Sequence, residues 1–365
     1  MISGVANYAG GVENVVKELS NYLVAHDVGV TVFGTSNRDF VEVVGNWKTI
    51  GVRPFDFLPR ILRVAYYDKI AYSFKVWRKI RRLKTFDIIH GHADNCLFPS
   101  LFRSETPFLM TFHGLRGKSS ARNDPRLYPI LYAEKVAASK CDVAVACSNA
   151  VEKELIDLYD IKTSKIAVIH NGVDIAKYTT QDKTQARLQL HLPVNRRYGL
   201  WVGADPIRKG LSIAMKAVEG VPNTRLLVVG IRGKNRGKTV FLGKLTDSEL
   251  IAAYNAADFL IFPTAYEGFP VVPMEAMACG LPIIVSKESN MGEIITDGVH
   301  GLVIENRDSQ PYKENIEFLL NNAATFKNMS VACRQLAMRY SWRNQSEKYC
   351  KIYRRFLKSE ATEDV

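Results

Sequence analysis

Two glutamates stand eight positions apart in a segment that is otherwise apolar. Glu267 follows Tyr266 in a turn that contains glycine and proline, and Glu275 lies within the apolar run 271–279. Because an idle buried charge is costly, a carboxylate in such a run needs a partner or a ligand. Carboxylates accept hydrogen bonds from hydroxyl groups, so the pair can bracket a ligand such as a sugar. We interpret both glutamates as ligand-binding residues rather than as solvated surface.

The backbone around the two glutamates predicts a phosphate site. Gly268 lets the main chain approach a ligand closely, while Pro273 suits the first turn of a helix and Gly280 suits its end. The segment follows the apolar strand 259–263 and precedes the strand 281–286. A helix N-terminus at the carboxyl end of a parallel strand is a ready site for an anion. The predicted contacts with this ligand are Glu267, Gly268, Phe269, Pro270, Val271 and Glu275.

Elements that position these residues alternate along the chain between short β-branched runs and amphipathic stretches. Strands that alternate with helices at this spacing predict an α/β fold with parallel sheets. The predicted strands are 28–33, 87–90, 108–112, 143–147, 166–169, 199–203, 225–229, 259–262 and 282–286. The predicted helices are 12–26, 125–139, 150–159, 212–218, 247–256, 273–278 and 310–321.

The chain of 365 residues is long enough for two domains. The polar, strand-free stretch 179–197 is the predicted linker between a Rossmann-like domain at 1–178 and a second one at 198–340. We expect the last segment, 341–365, to form a helix that returns to the N-terminal domain.

The glutamate segment resembles the E-x7-E motif of retaining GT-B glycosyltransferases, specifically the large family 4. The similarity runs from Gly10 to about Tyr353 and includes segments 245–250, 257–258, 263–264, 293–298 and 301–303. It implies a GT-B fold, in which an acceptor-side and a donor-side Rossmann-like domain face each other across a cleft. It also implies that the sugar is transferred with retention of anomeric configuration. By this resemblance Glu267 stands near the donor sugar, and Glu275 holds the ribose hydroxyls.

Further residues match the same family at the ends of predicted elements. Gly10 and Gly11 precede the predicted helix 12–26 and resemble the loop whose backbone approaches the donor diphosphate. His113 follows a strand and resembles the active-site histidine near the transferred sugar. A glycine pair is more often a plain turn, and a histidine at a strand end is usually structural, so these readings stay open beside the functional ones. Two other matching residues are candidate ligand contacts, Ser148 and Asn171.

A glycine loop at 203–210 resembles the family's phosphate loop with one departure. The family has arginine directly after the first glycine, and this chain has Ala204 after Gly203. Lys209 is retained before the last glycine, and Arg208 is the candidate substitute for the missing arginine. Two cations on a diphosphate offset the charge that builds on the leaving group. We assign Gly203, Arg208 and Lys209 to donor binding, and the resemblance assigns His113, Glu267 and Lys209 to catalysis.

Motifs for other chemistries are missing from the sequence. There is no D-x-D triplet, no metal-ligand spacing of His, Cys and Asp, and no G-x-x-x-x-G-K-[ST] loop. We expect metal-independent transfer with no cofactor, a UDP-, GDP- or ADP-sugar as co-substrate, and a glycan, lipid-linked or other acceptor. The alternatives are a nucleotide-sugar epimerase or phosphorylase on the same fold, or a non-catalytic basic protein that binds membranes or nucleic acid.

Most of the net charge of +12 comes from one segment, 53–84, which has ten basic and two acidic residues. Its cations alternate with aromatic residues, among them Tyr72. Such a segment is compatible with a solvated face, with an anionic membrane or lipid-linked acceptor, or with nucleic acid, the least favoured of the three. The residues proposed for a membrane or acceptor surface are Trp77, Arg78, Lys79, Arg81 and Arg82.

The expected location follows from composition. No run of about 18 apolar residues occurs, the first residues lack the features of a signal peptide, and the six cysteines form no C-x-x-C pair. These features favour reduced, buried thiols in a cytoplasmic protein. Peripheral association with the cytoplasmic face of a membrane follows if the basic segment binds lipid.

Overall fold

The computed structural model describes residues 1–5, 11–44, 46–53, 67–83, 86–92, 96–102, 105–115 and 128–360. Unit 1 comprises Met1–Asn171 together with Trp342–Val365, and unit 2 comprises Gly172–Ser341. Each unit is built around its own sheet with helices between successive strands, so the predicted α/β class with two Rossmann-like units is confirmed.

The sheet of unit 1 has eight strands in the order β3-β4-β2-β1-β5-β6-β7-β8. These strands are β1 (Ile2–Val5), β2 (Thr31–Thr35), β3 (Phe40–Val44), β4 (Trp47–Val52), β5 (Ile89–His92), β6 (Phe108–Phe112), β7 (Val143–Ala146) and β8 (Ile166–Val168). All pairs are parallel except β3 with β4, which form an antiparallel edge. The carboxyl ends of β5 and β6 therefore lie side by side, and the two strands end in or just before histidines.

The sheet of unit 2 has six parallel strands in the order β11-β10-β9-β12-β13-β14. They are β9 (Arg197–Val202), β10 (Thr224–Val229), β11 (Thr239–Gly243), β12 (Phe259–Phe262), β13 (Ile283–Ser286) and β14 (Leu302–Ile304). The strand order reverses between β9 and β12. Ligands of open α/β sheets bind outside the carboxyl ends of the strands at such a reversal.

Helices cover both sheets and bury apolar faces with helical spacing. They are α1 (Gly11–Val24), α2 (Tyr67–Leu83), α3 (Leu97–Leu101), α4 (Tyr128–Lys140), α5 (Asn149–Tyr159), α6 (Lys183–Gln189), α7 (Leu211–Glu219), α8 (Asp247–Ala256), α9 (Val271–Ala278), α10 (Ser309–Asn321), α11 (Ala323–Arg339) and α12 (Trp342–Glu360). Leu19 and Leu23 of α1 share one buried cluster with Tyr349 and Tyr353 of α12. Because both pairs are four residues apart, each helix presents one apolar stripe to this cluster.

The segment 179–197, predicted as a linker, lies inside unit 2 and contains α6. The buried guanidinium of Arg187 donates to the carbonyl oxygen of Ala256 at 3.0 Å and to the Asp258 carboxylate at 2.9 Å. The boundary between the compact units falls instead between Asn171 and Gly172. The polar composition of this segment suggested a linker. Its attachment to unit 2 could not be seen in the local sequence, because the partners of Arg187 lie 69 and 71 positions away.

Several elements differ from the sequence-based expectation at their ends. The predicted strand 28–33 begins only at Thr31, because Asp27 adopts a left-handed conformation with φ of 60° and Val28 is exposed. Helix α4 begins at Tyr128, and residues 116–127 lie outside the described part. The short strands β1, β3, β4, β11 and β14 were not predicted. Strand β3 was missed because its central residues, including Val41 and Val43, are exposed.

Candidate active site

Glu275 lies in α9 and is buried against two tyrosines. The hydroxyl of Tyr254 donates to Oε2 of Glu275 at 2.7 Å, and the Tyr178 hydroxyl also binds this carboxylate. Burial raises the pKa of Glu275, whereas the hydrogen bonds from both tyrosines and the nearby cations Lys177 and Lys209 oppose that rise. The tyrosines thus orient a buried carboxylate beside a cation. Sequence analysis gave Tyr254 no role and missed Tyr178, because their convergence depends on the packing of separate segments.

Glu267 lies in the turn before α9, where two cations converge on one of its oxygens. Nη1 of Arg208 is 2.7 Å from Oε1 of Glu267, and Nζ of Lys209 is 3.8 Å from the same atom. Arg208 also donates to the carbonyl oxygen of Tyr266 at 2.8 Å, and its Nε lies 3.4 Å from the Asp205 carboxylate. The structure therefore brings together the acidic turn and the basic loop that the sequence identified separately.

Lys209 occupies a channel that Gly203 leaves open. A Cβ atom on Gly203 would lie 2.5 Å from Cδ of Lys209, so any side chain there displaces the lysine. The ammonium lies 5.2 Å from the centre of the Phe262 ring, which is close enough for a cation–π interaction. Burial lowers the pKa of Lys209, and the Glu267 carboxylate opposes this change. The largely buried lysine thus lies near the Glu267 carboxylate and the Phe262 ring, and it has room because residue 203 is glycine.

Two helices begin beside this cluster. Gly210 precedes α7 with φ of +65°, and a Cβ there would lie 2.2 Å from the carbonyl oxygen of Pro263, so the position needs glycine. Helix α9 begins at Val271, two residues before the predicted start at Pro273, and Pro270 provides no side-chain cap. The N-cap residue thus leaves the first N–H groups of α9 unbonded by its own side chain, and such groups can bind an anion.

His113 follows β6 in unit 1 and is bonded to a second histidine. Nδ1 of His92 lies 3.1 Å from Nε2 of His113, and the two rings are nearly parallel, with an angle of 18° between their planes. Burial lowers the pKa of His113 to about 4. Burial also lowers the pKa values of His90 and His92 well below the usual value, with smaller effects from the N-terminal amine and the neighbouring histidines. All three imidazoles are therefore neutral at neutral pH.

The remaining predicted ligand contacts have diverse surroundings. Gly10 lies outside the described residues, while Gly11 begins α1 and has open space around its Cα. The hydroxyl of Ser148 accepts the Val151 N–H at 3.1 Å and caps α5, so it has a structural role. Asn171 is buried at the last position of the first chain segment of unit 1.

The described part of the basic segment forms helix α2, and residues 54–66 and 84–85 lie outside the description. Arg78 and Arg81 are exposed and lie over the rings of Phe74 and Trp77, at 5.9 and 5.3 Å from the ring centres. Tyr72, one of the aromatic residues that alternate with the cations, does not belong to this surface. Its side chain is fully buried, because it lies on the opposite face of the helix, which faces the core.

The other two cations proposed for this surface, Lys79 and Arg82, have different surroundings. Lys79 is held 3.5 Å from Asp39, while Arg82 is exposed. Within the described ranges no helix is long and apolar enough to cross a bilayer. The same ranges contain no group of three or more His, Cys, Asp or Glu residues arranged to hold a metal ion.

The chain belongs to family 4 of the GT-B glycosyltransferases. Residues 9–177 match the family model described as Glycosyltransferase Family 4, and residues 182–336 match the model described as Glycosyl transferases group 1. The family resemblance of the glutamate segment is thereby confirmed over both units.

Individual proteins agree with this assignment. A D-inositol 3-phosphate glycosyltransferase from Nocardioides sp. is 22% identical over 391 residues, which cover 95% of this chain and 85% of the relative. Sucrose-phosphate synthase from Thermosynechococcus elongatus has a similar structure, with a TM-score of 0.85, 21% identity and 98% coverage of both chains. Anabaena Alr3699/HepE in complex with UDP-glucose gives a TM-score of 0.75 at 18% identity, over 96% of this chain and 97% of that chain. The chain is a glycosyltransferase with the GT-B fold.

The buried histidines predict a loss of stability in acid. A histidine whose pKa is lowered on folding binds its proton more readily in the unfolded state, so folding is opposed once the pH falls below the ordinary value of 6.5. We expect the melting temperature to fall progressively between pH 6.5 and pH 4, measured by scanning calorimetry from pH 8 to pH 4. In His113→Gln the fall should be smaller, and the surface variant His26→Gln should behave like the wild type. An equal fall in all three proteins would contradict the prediction.

Proposed function

We propose that this chain transfers a hexose-type sugar from a nucleotide-diphosphate donor to an acceptor, with retention of anomeric configuration and without a metal ion. The observation that carries the proposal is the convergence of Arg208 and Lys209 on Glu267, in the turn that leads directly to the buried Glu275. Two cations, two carboxylates and an uncapped helix N-terminus match the groups of a nucleotide-diphosphate sugar.

The two cations serve the diphosphate. Arg208 and Lys209 offset its charge, and the first N–H groups of α9 add hydrogen bonds. When the phosphate oxygens attract the cations, Glu267 is released to accept a hydrogen bond from the donor sugar. The two tyrosines hold the Glu275 carboxylate in place. The carboxylate then accepts hydrogen bonds from the ribose hydroxyls. A UDP-, GDP- or ADP-sugar fits these roles, and the similar fold of the Anabaena protein in complex with UDP-glucose supports this donor class.

The anomeric configuration is retained because the acceptor attacks the same face of the sugar from which the diphosphate departs. The acceptor oxygen bonds to the anomeric carbon as the bond from that carbon to the diphosphate oxygen breaks. The departing diphosphate oxygen takes the acceptor's proton, so no additional base is required. Lys209 stabilises the charge on the leaving group. His113, neutral because burial lowers its pKa to about 4, offers a hydrogen bond near the transferred sugar.

Unit 1 is the proposed acceptor side. The family relative from Nocardioides is named for D-inositol 3-phosphate, which supports a hydroxyl-rich acceptor such as a phosphorylated polyol or a glycan. The exposed cations of α2 extend this range to a lipid-linked acceptor on an anionic membrane. A phosphorylated polyol and a lipid-linked acceptor on such a membrane both present negative charge to unit 1.

The α2 surface has the features of a membrane-binding face. Phe102 and Leu101 of the adjoining segment are 53% and 40% exposed, and the Phe102 ring packs against Trp77 with the ring centres 5.1 Å apart. Exposed aromatic and apolar side chains beside Arg78 and Arg81 suit the boundary between headgroups and acyl chains. Exposed apolar side chains that lie together, here Leu101 and Phe102, often mark an interaction surface. We propose peripheral binding to anionic lipid through this face.

Glu275→Ala should lose donor affinity while the fold survives. Loss of the hydrogen bonds to the ribose should weaken binding by about 2–4 kcal/mol, measured by calorimetry with the correct donor. Glu275→Gln retains partners for both tyrosines and separates the effect on binding from that on stability. The control is Glu305→Gln, which removes an exposed ion pair with Lys287. Donor affinity of a folded Glu275→Ala protein equal to that of the wild type would exclude the ribose role.

The stereochemical outcome and the metal requirement are measured in one assay. With the matching donor and acceptor in excess EDTA, proton NMR should show that the product keeps the anomeric configuration of the donor. Turnover should be unchanged by the chelator, because the cations of the phosphate loop replace a metal. An inverted product, activity restored only by Mn²⁺ or Mg²⁺, or turnover without an acceptor would each contradict the proposal.

Co-sedimentation with lipid vesicles tests the membrane face. Replacement of Arg78, Lys79, Arg81 and Arg82 by glutamine should abolish binding to anionic vesicles, since each cation contributes about 1 kcal/mol near an anionic surface. The matched control replaces four exposed cations of α12, namely Arg343, Lys351, Arg354 and Arg355. Binding of the wild type should weaken as salt is added. Equal binding to neutral vesicles, or equal loss in both variants, would leave α2 as a solvated face.

A further inference from the structure

His92 is the most deeply buried member of a histidine pair at the carboxyl edge of the unit 1 sheet. It is the last residue of β5, where it pairs with Thr111 of β6, and His113 lies just beyond the end of β6. His92 is fully buried, whereas His113 is half-buried as a residue. The pair therefore has an inner imidazole, away from solvent, and an outer one at the edge where ligands of parallel sheets bind.

His90, the neighbouring histidine on β5, is a structural residue of this unit and serves for comparison. Nδ1 of His90 lies 2.7 Å from the hydroxyl of Tyr353, and its Nε2 lies 2.7 Å from Oγ1 of Thr111. Thr111 in turn donates to the hydroxyl oxygen of Tyr349 at 3.5 Å. Both nitrogens of His90 are thus bonded, so its proton positions are set by α12 and β6.

His92 differs from His90 in having one bonded and one unbonded nitrogen. Its Nδ1 bonds to Nε2 of His113 at 3.1 Å, and its buried Nε2 has no hydrogen-bond partner among the described residues. Burial of an unmade N–H donor is rarer in proteins than burial of a free acceptor site. This preference favours the proton of neutral His92 on Nδ1, from which it is donated to His113.

This proton position determines the tautomer of His113. Because Nε2 of His113 accepts the proton of His92, the ring's own proton must be on Nδ1. The outer imidazole then presents an N–H donor to a ligand instead of a bare nitrogen. Burial lowers the pKa values of both rings, so neither gains a second proton at neutral pH.

We propose that His92 is a positioning residue that fixes His113 as the Nδ1–H tautomer, so that His113 presents a hydrogen-bond donor to an oxygen of a bound sugar. The catalytic use of this hydrogen bond rests on the proposed function, whereas the tautomer does not. His92 acts only through His113. An aspartate performs the same service for a catalytic histidine in serine proteases, where the wrong tautomer costs most of the activity.

The test is long-range ¹H–¹⁵N NMR of the imidazole rings at pH 7.5, with His113→Gln used to assign the signals. Wild-type His113 should show the Nδ1–H pattern. His92→Phe, which keeps a ring but removes both nitrogens, should convert His113 to the Nε2–H form that predominates in free histidine. His92→Asn, whose amide N–H can replace Nδ1–H, should restore the Nδ1–H pattern. The matched control is Tyr353→Phe, which removes a partner of His90 and should leave the tautomer of His113 unchanged.

Kinetics with the matching donor and acceptor supply the second readout. In His92→Phe we expect kcat to fall about tenfold, which corresponds to the loss of one hydrogen bond in the transition state. The affinity for the nucleoside diphosphate alone should be unchanged, because unit 2 holds it, and His92→Asn should recover much of kcat. A wild-type His113 in the Nε2–H form, or the same tautomer in a folded His92→Phe protein, would overturn the proposal. If no donor supports transfer, the proposed function fails while the NMR result still decides the tautomer.

Discussion

The ion pairs that join Glu267 to Arg208 and Lys209 are the interactions on which the arrangement of the candidate site in unit 2 depends. A largely buried lysine is stable only where an anion offsets its lost hydration, and Glu267 supplies this charge from the turn before α9. Around that pairing the chain has glycine at Gly203, where any side chain would displace the lysine, and at Gly210, where backbone meets backbone. In the proposed reaction the donor diphosphate replaces Glu267 as the partner of both cations. In that proposal the cations already face an anion before the diphosphate takes its place.

The buried histidines of unit 1 are neutral, in contrast to the ion pairs of unit 2. Burial lowers their pKa values, and they are connected by hydrogen bonds rather than by charge. The chain of bonds from Tyr353 through His90 and Thr111 to Tyr349 ties α12, the last helix of the sequence, to the strands that carry His92 and His113. A substitution in α12 can therefore affect His90 although the helix is distant in sequence. The buried polar groups of the two units therefore differ: unit 2 pairs charges, and unit 1 pairs neutral imidazoles.

Local sequence signals predicted those elements whose ends are determined locally. Helix α8 has its predicted bounds, Asp247–Ala256, because Thr246 and Glu249 form a capping box at its start. Strands β6 and β12 also have their predicted bounds, since each is a short apolar run between turn residues. The glutamates and cations were found through their motifs. Features that depend on distant partners were missed. The segment 179–197 looked like a linker because most of it is exposed, although Arg187 anchors it to unit 2. The roles of Tyr178 and His92 follow from contacts that no spacing reveals.

Thermal-shift titration with nucleosides, their monophosphates, diphosphates and diphosphate sugars tests the central claim most directly. Binding to the folded state raises stability by about 2.7 kcal/mol at a hundredfold excess over the dissociation constant, so affinity appears as a higher melting temperature. For one of uridine, guanosine or adenosine, the diphosphate and its sugar should raise the melting temperature clearly more than the monophosphate. Lys209→Met should abolish that difference while the folded protein persists. A monophosphate that stabilises as well as the diphosphate, or an undiminished difference in Lys209→Met, would contradict the account.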